Sequence, residues 1–282
     1  MSTVKIGIDI GGTNIKLGAV DENYKILKKL IVPTPKGTSG DELADFIAQK
    51  CREVSEGFSP VFVGIGVPGL IDSGKVDAVN LNFKKYPLSC EIQKRVGIKT
   101  KVSNDANAAS LGEYVAGVSK NCKNVLTITL GTGIGSGIII NGKIYEGFGS
   151  AGEAGHLIIV HGGKKCPCGQ RGCWERYASA SVLIEEAEKS AKNNPESILG
   201  KKYIADGRVG GISFFDAVKE GCPVALKCLD KYTDYVADGL NSLIFIFNPE
   251  MIVISGGISN AGDLLLDPIK KKIKDKKRGL SD

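Results

Sequence analysis

No stretch of this 282-residue chain is apolar over the length a membrane-spanning helix needs, which excludes a helical membrane protein. Room for a signal peptide is also lacking, because Met1-Ser2-Thr3-Val4-Lys5 runs at once into a strand pattern, and a cytoplasmic location is expected. A disulfide framework is missing too. Of the eight cysteines, Cys51, Cys90, Cys122, Cys222 and Cys228 stand alone, while Cys166, Cys168 and Cys173 cluster. So uneven a distribution suits a reducing compartment. Nor is there a basic face. The net charge is +6, yet Lys270–Arg278 holds seven basic residues and one acid, which accounts for all of it. The rest is near neutral, so neither nucleic acid nor a membrane surface is an expected partner, and the tail reads as a solvated helix end.

What the chain has in quantity is glycine. Its 37 glycines gather in a few runs, which points to backbone loops close to a ligand. Residues 3–10 and 14–20 read as strands joined by Gly11-Gly12-Thr13, and a third strand is expected over about 24–32. Leu43, Phe46, Ile47 and Val54 fall at helical spacing within 41–56. The apolar run 60–67 suits a buried strand, and another strand near 98–103 leads through Asn104-Asp105 into an Ala-rich helix at 106–116. The pattern then recurs. Val125–Leu130 and 134–140 read as strands about Gly131-Thr132-Gly133, with an Asn141-Gly142 hairpin turn beyond. Helices near 175–192, 212–220 and 224–246 follow, then a strand, Met251–Ser255, ending in Gly256-Gly257. Two glycine–threonine hairpins so far apart suggest duplicated α/β lobes, expected over residues 1–117 and 118–282.

Two familiar patterns are accidental. Gly64–Gly69 matches GxGxxG, but Pro68 opens no helix and Lys84 stands where an acidic ribose ligand would be needed. Gly137–Lys143 resembles a Walker A loop, but Ile144 follows and the segment reads as strand plus turn. The paired tips carry more. A phosphate chain needs converging backbone N–H groups, and only residues without a Cβ let the backbone come that close. Gly11, Gly12 and Thr13 on one tip and Thr132 and Gly133 on the other therefore suggest a nucleotide clamp. Asp9 is suited to holding Mg²⁺. Lys16 either reaches the phosphates or points to solvent. Asn104 and Asp105 both favour a helix N-cap, which explains one of them. An aspartate at the end of a strand can also accept a proton from a hydroxyl that attacks phosphorus.

The sharpest local signal is His156 followed by Cys166-Pro167-Cys168-Gly169-Gln170-Arg171-Gly172-Cys173. One imidazole and three thiolates complete a tetrahedral zinc site with no open position, so the metal's role is structural. His161 is the competing histidine. Glu153 and Glu175 flank this cluster, and taken alone each reads as an ordinary surface carboxylate.

Together these segments resemble the ROK family of bacterial sugar kinases and sugar-responsive repressors. The resemblance runs from Asp9 to about Gly257 through DIGGTN, GVPGLID, NDANAA, LGTGIGSGI, EAGH, CPCGQRGCWE and SGG. It implies an actin-like (ribonuclease H-like), two-lobed ATPase fold with a zinc-binding loop and an active site in the cleft. It further implies that Asp105 deprotonates a hexose hydroxyl, and that Asn104, Glu153, His156 and Glu175 contact the sugar, with Gly69 and Asn80 as further candidates. Gly11, Gly12, Thr13, Thr132 and Gly133 then become phosphate contacts, and Gly256-Gly257 the adenosine end. The implied activity is ATP- and Mg²⁺-dependent phosphorylation of a hexose, glucose first, with N-acetylmannosamine, N-acetylglucosamine and fructose as alternatives. A homodimer is the implied assembly. The family's Asn-Gly-Trp-like segment reads Asn80-Leu81-Asn82-Phe83 here, and its usual terminal helix is expected to be missing. A repressor would need a helix-turn-helix ahead of the first hairpin, where this sequence shows eight residues before Asp9. A sugar-binding regulator without catalysis is the reading of a different class.

Overall fold

Alternation of apolar and polar residues builds the first sheet. In the computed structural model, which describes residues 2–78 and 81–276, β1 (Thr3–Ile10) buries Val4, Ile6, Ile8 and Ile10 and exposes Lys5, Gly7 and Asp9. β2 (Asn14–Val20) pairs antiparallel with β1 and buries Ile15, Leu17 and Ala19. β3 (Ile26–Pro33) continues the antiparallel meander on the far side of β2. β4 (Ser59–Val67) and β8 (Thr100–Asn104) add in parallel on the other side of β1, giving the order β3-β2-β1-β4-β8. The run at 60–67 is less uniformly buried than its sequence suggests, since Val61 is exposed and full burial begins at Val63.

Helix α1 (Gly40–Val54) starts where Ser39 and Glu42 form a reciprocal capping box, and it lays Leu43, Ala44, Ile47, Cys51 and Val54 into the core under this sheet. Helix α2 (Leu88–Val96) adds Leu88 and Ile92 to the same core. A small antiparallel sheet, β5 (Leu70–Asp72), β6 (Lys75–Ala78) and β7 (Phe83–Tyr86), lies between β4 and α2 in sequence, and local sequence reading did not anticipate it. Helix α3 (Asp105–Ala116) follows β8 without a connecting loop.

The second sheet has the order β11-β10-β9-β12, formed by β9 (Val125–Leu130), β10 (Ile134–Ile140), β11 (Lys143–Ile144) and β12 (Met251–Ser255). The turn between β10 and β11 is Asn141-Gly142 with φ of 50° and 74°, the left-handed pair that an Asn-Gly hairpin turn requires. Gly137–Lys143 is thus strand and turn, and Gly64–Gly69 runs from β4 toward β5 without opening a helix. The single helix expected near 175–192 is two. Ser179 ends α4 (Glu175–Ala178) in an extended conformation, and its hydroxyl accepts the Val182 N–H to cap α5 (Ala180–Asn193). Helices α6 (Ile198–Asp206), α7 (Gly211–Lys219), α8 (Pro223–Phe247) and α9 (Asp263–Lys276) complete the described chain. No helix among the described residues is long and apolar enough to cross a membrane.

The chain divides into two compact units. One runs to Val125 and takes in Gly137–Ala151, and the other takes Leu126–Ser136 and the described residues from Gly152 onward. In the second unit the basic tail is not simply a solvated end. Lys272 is 15% exposed and pairs with Asp230 at 2.7 Å and Asp234 at 3.0 Å, and Lys276 reaches Asp238 at 2.6 Å. The three aspartates stand one helical turn apart on α8, so α9 docks by a ladder of charges; Lys277 and Arg278 lie outside the described residues.

In the second unit Trp174 is fully buried, and its indole N–H donates to the Tyr235 carbonyl at 2.7 Å. Its ring lies flat on α8 at Gly239, where a Cβ would fall inside the indole. Gly239→Ala should therefore destabilise the protein. The helix-propensity gain of about 1 kcal/mol is smaller than the overpacking cost of about 1–3 kcal/mol or more. A urea or thermal melt should show a lowered midpoint, whereas a rise would mean the indole can shift freely.

Candidate active site

The first hairpin tip is held by its neighbours rather than by chance. The Gly11 N–H donates to the Asn14 carbonyl at 3.0 Å, and Thr34, just past β3, clamps the turn from the side. Its hydroxyl donates to the Gly11 carbonyl at 2.6 Å and its N–H to the Thr13 carbonyl at 2.9 Å. A side chain at Gly11 would press on the Asn14 carbonyl at 2.9 Å, so the turn itself explains that glycine. Gly12 is different. Nothing lies within 4 Å of where its Cβ would be, so the protein's own packing does not require glycine there, and the backbone at this position is open to close approach. A small cavity of about 230 Å³ opens beside Gly12, lined among others by Thr34 and Asn82. Asp9 and Lys16 face each other across the β1–β2 register and form an ion pair at 3.0 Å, each side chain about half exposed. Lys16 therefore turns to Asp9. So exposed a pair contributes little stability and opens easily to a ligand.

At the β8–α3 junction the division of labour between Asn104 and Asp105 is plain. The Asn104 side-chain oxygen accepts the Ala106 N–H at 2.9 Å and the Asn107 N–H at 3.3 Å, so Asn104 is the helix cap. Its amide donates to the Gly69 carbonyl at 3.3 Å, which brings these two predicted residues together. Gly69, with φ of 111°, can only be glycine there, since a Cβ would strike the Asp77 carbonyl. The Asp105 carboxylate shares the Ala106 N–H, accepting it at 2.9 Å. Its residue keeps a solvent-accessible face, yet partial burial raises the carboxyl above the ordinary aspartate value and the like charge of Asp9 adds to the rise. Gly66 on β4 makes room for this junction, its missing Cβ lying 3.6 Å from the Asp105 Cα and 3.2 Å from the Ala108 Cβ. Asn80 lies outside the described residues.

In the second unit His156, Cys166, Cys168 and Cys173 converge, their ligand atoms all within 4.8 Å of one another; His161 is not in this group. The Cys166 Sγ lies 3.7 Å from the His156 Nδ1, and the Cys168 and Cys173 sulfurs are 3.6 Å apart. Metal–sulfur bonds of about 2.3 Å in a tetrahedron place sulfurs about 3.8 Å apart, so the four donors fit a tetrahedral thiophilic dication. Backbone geometry shapes this loop. Gly169 and Gly172 take φ of 95° and 90°, the Cys166 N–H closes on the Gln170 carbonyl at 2.9 Å, and Cys173 bridges to Ile158. Burial pushes the Cys166 thiol up to about 12 and raises Cys173, whereas the Gln170 N–H lowers Cys168. A bound dication would offset the cost of holding three thiolates there.

Around the knot stand the two glutamates. The Glu153 carboxylate is 4.0 Å from the His156 Nε2. One Glu175 oxygen accepts from the Cys166 Sγ at 3.2 Å and lies 3.8 Å from the His156 Nδ1. The other reaches the second hairpin tip, 2.8 Å from where a Gly133 Cβ would be. Glu153, His156, Glu175 and Gly133 thus form one contiguous group. The helix break at Ser179 leaves Glu175 on its own short turn, tied to the knot through Cys173 and Trp174.

Beside the same tip is a cavity of about 860 Å³, lined by Gly131, Thr132 and Gly257 together with the apolar Ile184, Ile212 and Phe215. Gly257 has open space where its Cβ would be, as Gly12 has. Gly256 is not among the lining residues. Its φ of 97° and its contact with the Leu130 carbonyl explain that glycine by the β12–β9 packing alone. The sequence did not single out Ile184, Ile212 or Phe215. Ile212, 84% exposed at the start of α7, is the one conspicuous signal, an apolar side chain left uncovered by its own unit.

Among known proteins, the chain matches the model of the ROK family over residues 5–279. It is 41% identical over 276 residues to the glucokinase of Streptomyces coelicolor, an alignment covering 95% of this chain and 86% of that one. The glucokinase of Thermotoga maritima is 37% identical over 275 residues, with 96% and 87% covered. A solved ROK family glucokinase from Streptomyces griseus, in complex with glucose and AMPPNP, superposes with a TM-score of 0.85 at 37% identity, covering 99% of this chain and 92% of that one. The α/β fold is therefore the actin-like ATPase fold of these sugar kinases. By domain match and by identity over nearly its whole length, the chain belongs to the ROK family.

Proposed function

We propose that this chain is an ATP-dependent hexose kinase that transfers the terminal phosphoryl group of ATP to the 6-hydroxyl of glucose. The observation that carries the reading is the carboxyl of Asp105 at the strand–helix junction. Asn104 takes the leading N–H groups of α3, so Asp105 shares only that of Ala106, and its carboxylate has a raised proton affinity. Likeness to glucokinases, one of them holding glucose and AMPPNP, supports the choice of sugar and donor.

The chemistry follows from the residues. Apolar Ile184, Ile212 and Phe215 suit the adenine ring, and Gly257 admits the nucleoside close to the backbone. Backbone N–H groups at Gly11, Gly12, Thr13, Thr132 and Gly133 meet phosphate oxygens. Asp9 would hold Mg²⁺ once Lys16 lets go of it, and the ion would supply charge neutralisation for the phosphates. Asn104, Glu153, His156 and Glu175 hydrogen-bond the sugar hydroxyls, with Gly69 next to Asn104, and Asp105 takes the 6-hydroxyl proton as the oxygen attacks phosphorus. His156, Cys166, Cys168 and Cys173 would hold zinc, which stiffens the loop carrying the sugar contacts. His156 presents Nδ1 to the thiols and Nε2 toward Glu153, so one ring serves both the metal and the sugar. All eight cysteines are free thiols, in keeping with a cytoplasmic enzyme, and a homodimer is the assembly we expect from the family.

A coupled ADP-release assay with glucose, N-acetylmannosamine, N-acetylglucosamine and fructose should show turnover with glucose, and Asp105→Asn should lose about 10²–10⁴-fold in kcat while still binding sugar. Undiminished turnover by the variant would remove the proposed base. The raised Asp105 carboxyl predicts that kcat/KM falls on acidification at a pH above the ordinary aspartate value of 3.8. The same shift has a sign for stability. A carboxyl that binds its proton more tightly when folded costs stability once ionised, so Asp105→Asn should melt no lower than wild type at neutral pH. Elemental analysis should find about one zinc per chain. Cys168→Ser should lose most of the metal and raise the hexose KM; full metal retention would refute the ligand set.

A further inference from the structure

The loop carrying Glu153 poses a hydrogen-bonding problem, and the solution comes from a distant strand. Glu153 has φ of −79° and ψ of 48° and opens a 3-10 turn over Ala154–His156. The Ala154 N–H at the head of that turn has no partner within it. An acidic residue in this position commonly folds its carboxylate back onto such N–H groups. Glu153 makes no such bond, and its side chain stays half exposed. The acceptor is Ser136 on β10, 5% exposed, whose hydroxyl takes the Ala154 N–H at 3.2 Å and donates to the Gly152 carbonyl. One buried hydroxyl therefore pins the peptide groups on both sides of Glu153.

The attachment is not isolated. β10 begins immediately after the Gly131-Thr132-Gly133 tip, and the tip and first residues of the strand lie against Glu175 and the Glu153 segment. Gly133 lies against Glu175, and the Ile134 carbonyl fills the space a Gly155 side chain would need. Ser136 completes the row.

Building on the kinase reading above, we propose that Ser136 is a positioning residue for hexose binding. It caps the Glu153 turn in place of the Glu153 carboxylate, leaving that carboxylate free for the sugar, and it ties the sugar loop to the strand that carries the second phosphate tip. Removing the hydroxyl strands a buried N–H, and the carboxylate of the adjoining residue, Glu153, is an acceptor of the kind that caps such a turn. The sugar then loses a contact although no sugar-contacting residue has changed.

The test is a kinetic and calorimetric series. Ser136→Ala should raise the glucose KM and Kd about tenfold, the loss expected of one buried hydrogen bond. Its kcat should stay within about threefold and its zinc content and ATP affinity within about twofold, a split that general loosening would not produce. Ser136→Thr, which keeps the hydroxyl, should remain near wild type. The deciding arm is a double-mutant cycle. In a Glu153→Gln background, Ser136→Ala should add less than about twofold, because its effect runs through that carboxylate. Unchanged glucose affinity in Ser136→Ala, or an effect that adds in full on Glu153→Gln, overturns the assignment. If Ser136→Ala does not fold, Ser136→Cys, nearly isosteric but a poor donor, should show the same split, and its absence would count equally against the proposal. A wild-type protein that binds no hexose would defeat the kinase reading and this assignment with it. Wild-type binding with unaltered variants would defeat the role of Ser136 alone.

Discussion

Every helix leaves its first N–H groups without partners inside it, and how this protein satisfies them decides which nearby carboxylates the backbone occupies. Two acidic residues stand at the starts of such turns. At Asp105 the preceding Asn104 takes the capping bonds. At Glu153 a hydroxyl from β10 takes the one that matters. In both places an acceptor other than the acid's own carboxylate carries most of the backbone's demand, and Asp105 only shares the Ala106 N–H with Asn104. Without those two substitutes both acids would be drawn into capping, and neither could play the part proposed for it above.

The second organising feature is close backbone approach. Glycines at 66, 133, 155 and 239 admit, in order, the start of α3, the Glu175 carboxylate, the Ile134 carbonyl and the Trp174 indole. Each lets a functional element lie on a strand or helix with no side chain between them. A site held this way is stiff, because the contacts are between atoms with few rotamers to explore. Trp174 extends the stiffness outward. Its backbone accepts from the helical turn that carries Tyr177, and its indole anchors on α8, so the His–Cys cluster is fixed to the longest helix among the described residues.

Much of this was legible beforehand, in particular places. The alternation in β1 and β2, the Asn-Gly turn after β10 and the Cys-x-Cys-Gly-x-x-Gly-Cys loop each depend on residues a few positions apart, so local chemistry determines them. The identity of the histidine that joins the thiols also followed from the residues, as did the pairing of Asn104 with Asp105 at a strand end. Other features had a local signal that was easy to underrate. Ser179 is a good N-cap residue in the middle of a helical pattern, and it splits that helix and sets Glu175 on its own turn. Lys272 belongs to a run of charge that reads as solvated until three aspartates one turn apart on α8 are laid beside it.

By itself, then, the sequence determined the long strands of the two larger sheets, the hairpin tips, the His–Cys cluster and the family, though not the small β5–β6–β7 sheet, because periodicity, turn chemistry and ligand spacing act over a few residues. Only the tertiary structure decided that Lys16 holds Asp9, that Glu175 bridges the knot to Gly133, that Gly256 serves packing while Gly257 faces the cavity, and that Ser136 caps the Glu153 turn. Those assignments rest on where a single polar atom or a missing Cβ falls relative to residues well away in the chain. Such distances are products of how whole elements pack, and no pattern along the sequence encodes them.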